Sequence, residues 1–151
     1  MLHIQNIVLP ETGRVIVISD IHGDLQLFQT LLEKVHYTTD DTLIINGDLC
    51  ERGPNSLGVI RYAKWLTEEN GNAYITEGNC DRLIHHAFDH DPTFFDHLER
   101  NPHSIMNEWL HEHGRTYADF DSVTELADFY STNCGEEIDW LFSLPTALET
   151  D

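Results

Sequence analysis

The sequence predicts an α/β fold organised around a parallel sheet. Three short β-branched apolar runs, helical periodicities between them, and a polar motif at the end of each run carry that reading. Strands alternating with helices of roughly 10 to 15 residues are the sequence form of βαβ units, which pair in parallel through right-handed crossovers.

The first run, Arg14 to Ser19, holds Val15-Ile16-Val17-Ile18, the pattern expected of a strand buried on both faces. Asp24 then opens a stretch with Leu25, Phe28, Leu31, Leu32 and Val35 at helical spacing. Thr42-Leu43-Ile44-Ile45 is the second strand, and a helix from about Ser56 to Glu69 follows the turn at Gly53-Pro54-Asn55. Ala73-Tyr74-Ile75-Thr76 is the third. From Asp81 onward the strand signal stops, and helices are expected at about 81–89, 93–100, 104–113, 122–130 and 136–143. Ser104 before Ile105, Trp109 and Leu110, closed by Gly114, gives one start and stop, and Ser122-Val123-Thr124-Glu125 is a capping-box pattern. With no repeat or linker, the expectation is one domain over 1–151, with a core at 12–86 and a helical cap at about 87–143.

The 151 residues are 40% hydrophobic, enough to build a core. Eight Lys+Arg against 27 Asp+Glu give a net charge of −19, which repels nucleic-acid backbones and anionic lipid. Residues 1–80 hold 5 basic and 11 acidic side chains and residues 81–151 hold 3 and 16, so the surplus falls on the helical half, as a solvated surface. The first residues lack a basic start followed by an apolar run, and no stretch approaches the ~18 apolar residues of a membrane span, so a cytoplasmic protein is expected. Cys50, Cys80 and Cys134 are widely spaced and contain no CxxC pair, which points to reduced thiols.

In open parallel sheets, functional groups gather beyond the carboxyl ends of the strands, and all three polar motifs fall there. Asp20-Ile21-His22 puts a carboxylate and an imidazole on one side of an extended backbone, a spacing that suits a divalent cation and equally a hydrogen-bonded loop pair; Gly23 permits a tight turn, and Asp24 reads as a helix N-cap. Gly47-Asp48 ends the second strand, and Glu51-Arg52 follows, either as a solvated ion pair or with Arg52 as a planar fork for two phosphate oxygens. In Gly78-Asn79-Cys80-Asp81, Asn79 offers a neutral carbonyl oxygen where carboxylates elsewhere supply the negative charge. Seven histidines lie at 85, 86, 90, 97, 103, 111 and 113; His86 with His90, and His85 with Asp89, are one helical turn apart, but on an insert they read as surface groups.

Together and in this order, the motifs resemble those of the calcineurin-like metallophosphoesterases: D-x-H, then G-D-x-x-D-R, then G-N-H-D/E. The form Gly47-Asp48-Leu49-Cys50-Glu51-Arg52-Gly53 looks most like the serine/threonine protein phosphatases and the symmetrical dinucleoside-tetraphosphate hydrolases. Ile138-Asp139-Trp140-Leu141-Phe142-Ser143-Leu144-Pro145 resembles the segment those enzymes carry just before their next core strand. The resemblance implies the N-terminal half of a metallophosphoesterase sandwich with a helical insert. It also implies that Asp20 and His22 bind one metal, Asp48 bridges two, Asn79 binds the second and contacts substrate, and Arg52 clamps the phosphate. The expected cofactors are two divalent ions, Mn²⁺ or Fe best and Zn²⁺ possible, activating a hydroxide for in-line attack. The implied activity is hydrolysis of phosphate monoesters or diesters, with a phosphorylated protein or a nucleotide as substrate. The alternatives are a dinucleoside-polyphosphate hydrolase and an incomplete metal-binding or interaction domain.

Two departures qualify that expectation. Family enzymes pair a histidine at the position of Cys80 with an aspartate at that of Glu51, as the acid that protonates the leaving oxygen. With Cys80 and Glu51 standing there as candidate catalytic residues beside Arg52, slower turnover of alkyl phosphates than of aryl phosphates or phosphodiesters is expected. Gly-Asn-Cys-Asp also resembles the motif of small bacterial metal-dependent phosphodiesterases. The family's later histidine motifs, V-H-A-G and G-H-T/S-P, do not occur, so the chain is expected to be an N-terminal portion of a longer protein.

Overall fold

A computed structural model describes residues 3–150, apart from the side chain of Asn70. Three strands form a parallel sheet in the order β2-β3-β4: β2 at Val15–Ile18, β3 at Thr42–Asn46 and β4 at Ala73–Thr76. Helix α1, Leu25–Lys34, and helix α2, Ser56–Asn70, make the two crossovers. The Asp24 side chain caps α1 by accepting from Leu27 N at 2.9 Å, and Asn55 caps α2 by accepting from Gly58 N at 2.8 Å.

Register explains a departure from the expected burial. Ile16, Leu43 and Ala73 form one cross-sheet row, and Ile18, Ile45 and Ile75 another, both facing the core. The intervening row is Val17, Ile44 and Tyr74, and Val17 is 63% exposed. The β2 strand is therefore covered on one face and not on both, because side chains alternate across the sheet and only the helical side is packed.

A second correction concerns strand count. A two-stranded parallel sheet pairs β1, Ile4–Asn6, with β5, Ala147–Glu149, in a region where only helix was expected after Asp81. It follows directly on Leu144-Pro145, whose proline carbonyl accepts from Glu77 N at 2.8 Å just past β4.

Between β4 and β5 lie a 3₁₀ turn at Asp81–Ile84 and helices α3 (His85–Phe88), α4 (Phe94–Arg100), α5 (Ile105–Glu112), α6 (Val123–Asn133) and α7 (Gly135–Ser143), with a second 3₁₀ turn at Tyr117–Asp119. Ser104 and Ser122 cap α5 and α6, accepting from Met106 N and Glu125 N. These helices share one continuous apolar core with the sheet, running from Leu43 and Ile45 through Leu66 to Trp109, Tyr130 and Leu141. Trp109 and Tyr130 are fully buried with their polar tips satisfied: the indole N–H donates to Glu137 and the phenol to the Met106 carbonyl. No helix among the described residues is long and apolar enough to cross a membrane.

Candidate metal centre

The three motifs meet where β2, β3 and β4 end, and backbone bonds lace them together. His22 N donates to the Asp48 carbonyl at 2.9 Å and Gly23 N to the Leu49 carbonyl at 2.8 Å. Gly47 and Gly78 permit the closest approach: a Cβ on Gly47 would fall 2.6 Å from Gly78 Cα, and one on Gly78 would collide with Asp48 N and Oδ1. The turn is tight enough to hold five non-glycine residues in the left-handed region, with φ of 57° at Asp20, 49° at His22, 55° at Asp48, and 71° at both Glu51 and Arg52.

Within this cradle, one ring nitrogen of His22, one carboxylate oxygen of Asp48 and Cys80 Sγ lie within 4.8 Å of one another. His22 Nδ1 lies 3.3 Å from the Cys50 carbonyl, and an Nδ1–H donating there would leave the Nε2 lone pair for a cation. Asp20 joins from the open side, its Oδ1 3.6 Å from His22 Nε2 and its side chain 64% exposed. Asp48 Oδ1 accepts from Cys80 N at 2.9 Å, tying the second motif to the third. Asn79 is exposed, and its amide Nδ2 faces Cys80 Sγ at 3.6 Å. Arg52 is also exposed and makes no ion pair among the described residues.

The donor set fits a divalent cation. Three ligand atoms at about 2.0–2.3 Å from one tetrahedral ion lie roughly 3.4–3.8 Å apart, so side-chain adjustment of up to about 1 Å closes the centre. The surroundings are acidic: burial, then the Asp48 charge, pushes the Cys80 thiol up, with Asp81 and Glu51 adding to the effect and Arg52 opposing it.

Glu51 and Cys80, at the positions of the family's acid pair, are not hydrogen-bonded to each other. The buried Glu51 carboxylate is occupied elsewhere, accepting from Ser104 Oγ at 3.0 Å and from Ile105 N at 3.1 Å at the start of α5. Its other oxygen lies 3.7 Å from His97 Nε2. Asn101 Nδ2 lies 3.3 Å from His97 Nδ1, and His97 Nε2 faces Glu51 across a gap too long for a hydrogen bond. His97, expected at the surface, is thus drawn to the Glu51 loop. His85 and His86 pair instead with Glu77 and Asp91 and do not form a shared cation site with Asp89 or His90.

Residues 13–147 match the family described as calcineurin-like phosphoesterase. The chain belongs to that family. Among its curated relatives is the asymmetrical bis(5'-nucleosyl)-tetraphosphatase PrpE of Bacillus subtilis (strain 168), 29% identical over 100 residues, which are 60% of this chain and 36% of PrpE. A symmetrical bis(5'-nucleosyl)-tetraphosphatase of Salmonella paratyphi B is 49% identical over 69 residues, 45% of this chain and 21% of that protein. A crystal structure of a candidate diadenosine tetraphosphatase superposes with a TM-score of 0.59 at 26% identity, covering 99% of this chain and 50% of that one. A hypothetical protein of Pyrococcus horikoshii OT3 shares the fold, with a TM-score of 0.50 at 19% identity over 87% of this chain and 47% of that one. The chain thus spans about half or less of the length of each.

Two residues of this phosphoesterase-family centre were not assigned roles from sequence. Asp81 is buried and accepts from Leu49 N at 2.8 Å, Cys50 N at 3.0 Å and Gly78 N at 2.9 Å, fixing the second and third motifs against each other. Burial pushes its carboxyl up while those three N–H groups pull it down, the net direction being upward. Its position as the fourth residue of Gly-Asn-Cys-Asp was the available signal. Glu108, on α5, accepts from Ser56 N and Leu57 N at 2.8 Å each, capping α2 from a distance. No local pattern marks it.

Proposed function

We propose that the chain belongs to a metal-dependent hydrolase of phosphoric anhydrides in dinucleoside polyphosphates. The observation that carries this reading concerns the acid: Glu51 is held at the α5 N-terminus, and among the described residues no carboxylate hydrogen-bonds the Cys80 thiol. A phosphoserine ester must expel an alkoxide, which needs that proton. An anhydride expels a phosphate oxygen, whose second ionisation is near about 6, and it leaves without one. The relatives named as tetraphosphatases support the same choice over a phosphoprotein phosphatase.

In this reading His22 and Asp48, with Asp20 beside them, would hold the first cation, and Asn79 would offer its amide oxygen to a second. A bound cation polarises the phosphoryl oxygen and lowers the pKa of a water. The exposed Arg52 guanidinium, on the loop after Asp48, binds phosphate oxygens through its planar fork. Asp81 keeps the two metal-binding loops in register.

The test is a panel assay with Mn²⁺ or Co²⁺ on diadenosine tetraphosphate, a phosphoserine peptide, p-nitrophenyl phosphate and bis-p-nitrophenyl phosphate. Cleavage of the dinucleotide with the phosphopeptide untouched is expected, and Arg52→Ala should raise KM for the dinucleotide. Two ADP, or ATP with AMP, would distinguish symmetrical from asymmetrical cleavage. Faster turnover of the phosphopeptide would overturn the reading. Metal binding without hydrolysis of any substrate would assign the chain to the metal-binding class instead.

A further inference from the structure

We propose that Cys80 is a metal ligand, so that His22, Asp48 and Cys80 hold one thiophilic divalent cation through a nitrogen, an oxygen and a sulfur. The proposal rests on the metal-centre reading above and is independent of the substrate.

Geometry supplies the first argument. The three donor atoms come from the ends of three different strands and converge within 4.8 Å without Asp20. Cys80 N already donates to Asp48 Oδ1, so two of the ligand residues are tied by backbone before any ion arrives. The carbonyl of Cys50 fixes the third by holding His22 Nδ1.

The second argument is that sulfur has no competing role. Among the described residues its hydrogen-bonding neighbour is the exposed Asn79 amide at 3.6 Å, a weak contact, and the carboxylate that would make it an acid is engaged by Ser104 and Ile105. When the cation binds, the sulfur–metal bond forms as the S–H bond breaks, and the proton leaves to solvent.

Ligand softness then sets metal choice. Thiolate with imidazole favours Zn²⁺ or Co²⁺, while an all-oxygen and imidazole set favours Mn²⁺. This shifts the expected metal away from Mn²⁺ for the centre these residues form.

The experiment is a Co²⁺ titration of the whole 151-residue chain, followed by its near-ultraviolet sulfur-to-cobalt charge-transfer band, with Zn²⁺ affinity from competition. The wild type should show the band, and Cys80→Ser should lose it and bind Zn²⁺ at least roughly 10-fold more weakly. A Cys50→Ala/Cys134→Ala double variant, with Cys80 as its sole thiol, should keep the band, which covers the case of a Cys80→Ser variant that does not fold. Co²⁺ binding with d–d bands alone, or a band that survives in folded Cys80→Ser, overturns the sulfur ligand and leaves the phosphoesterase reading standing. A wild type that binds neither ion overturns both.

Discussion

The Glu51 carboxylate accepts from the Ser104 hydroxyl across a separation of 53 residues. Four residues further along the same helix, Glu108 returns the connection by accepting from Ser56 N and Leu57 N. Two carboxylates thus cross between the segment leading into α2 and helix α5, Glu51 capping α5 and Glu108 capping α2. The helical insert positions that segment as well as covering the core.

Glu108→Gln should weaken the α2 cap by about 1 kcal/mol, since one charge-assisted acceptor is replaced by an amide N–H₂ facing a backbone donor. For a chain of this size that is a melting-point loss of roughly 2–4 °C. Thermal denaturation followed by circular dichroism would read it, and an unchanged midpoint would refute the cap's contribution.

Asp81→Asn leaves one amide oxygen for three buried N–H donors and turns an N–H₂ toward at least one of them. A loss of roughly 2–3 kcal/mol is expected, with weaker Co²⁺ binding because the Asp48 loop and the Cys80 turn lose their common anchor. Urea denaturation and metal competition on the same variant would show both effects; a loss of stability with unaltered affinity would confine Asp81 to folding.

Acid sensitivity follows from Asp41. Its hydrogen bonds from Arg14, and then from Thr38 N, hold its carboxyl down at about 2. The unfolded value is about 3.9, so the stabilisation is complete above that pH and is lost as pH falls from about 4 through about 2. Asp41→Asn should therefore be less stable than wild type at neutral pH, with the gap narrowing steadily across that window. Urea midpoints measured across the window give the test, and a pH-independent gap would contradict it.

The three cysteines are all buried, and burial pushes Cys134 up to about 12 and Cys50 well above the ordinary thiol range. Native protein at mildly alkaline pH should resist disulfide-exchange reagents, and all three thiols should react once it is denatured. Rapid labelling of a native thiol would show that the core around it opens.

Local patterns made much of this legible. The three main strands, the Asp24, Ser104 and Ser122 caps and the gathering of three motifs at one sheet edge all follow from short-range sequence. Strands β1 and β5 do not, because each has three residues and Ile4 pairs with Ala147, nearly a whole chain length away. The same limit hid the partners of Glu51: sequence offered it by analogy as a candidate catalytic residue, while packing of α5 brought Ser104 and Ile105 to it. His97 and Glu108 carry no local mark, since their roles arise only when α4 and α5 dock on the loop. The exposed row through Val17 shows a continuous β-branched run arising with only one face packed.

Five left-handed residues that are not glycine surround the cation cradle: Asp20, His22, Asp48, Glu51 and Arg52. Each costs roughly 1 kcal/mol of backbone strain. Glycine would relieve that strain at every one of them and delete a ligand, a helix anchor or a phosphate fork each time; asparagine would do the same at three, while at Asp20 and Asp48 it would keep an oxygen but lose the charge. Thermal robustness and chemistry therefore pull on the same five positions in opposite directions. A library selected for heat tolerance alone would drift there first, losing cobalt binding while its fold grew sturdier.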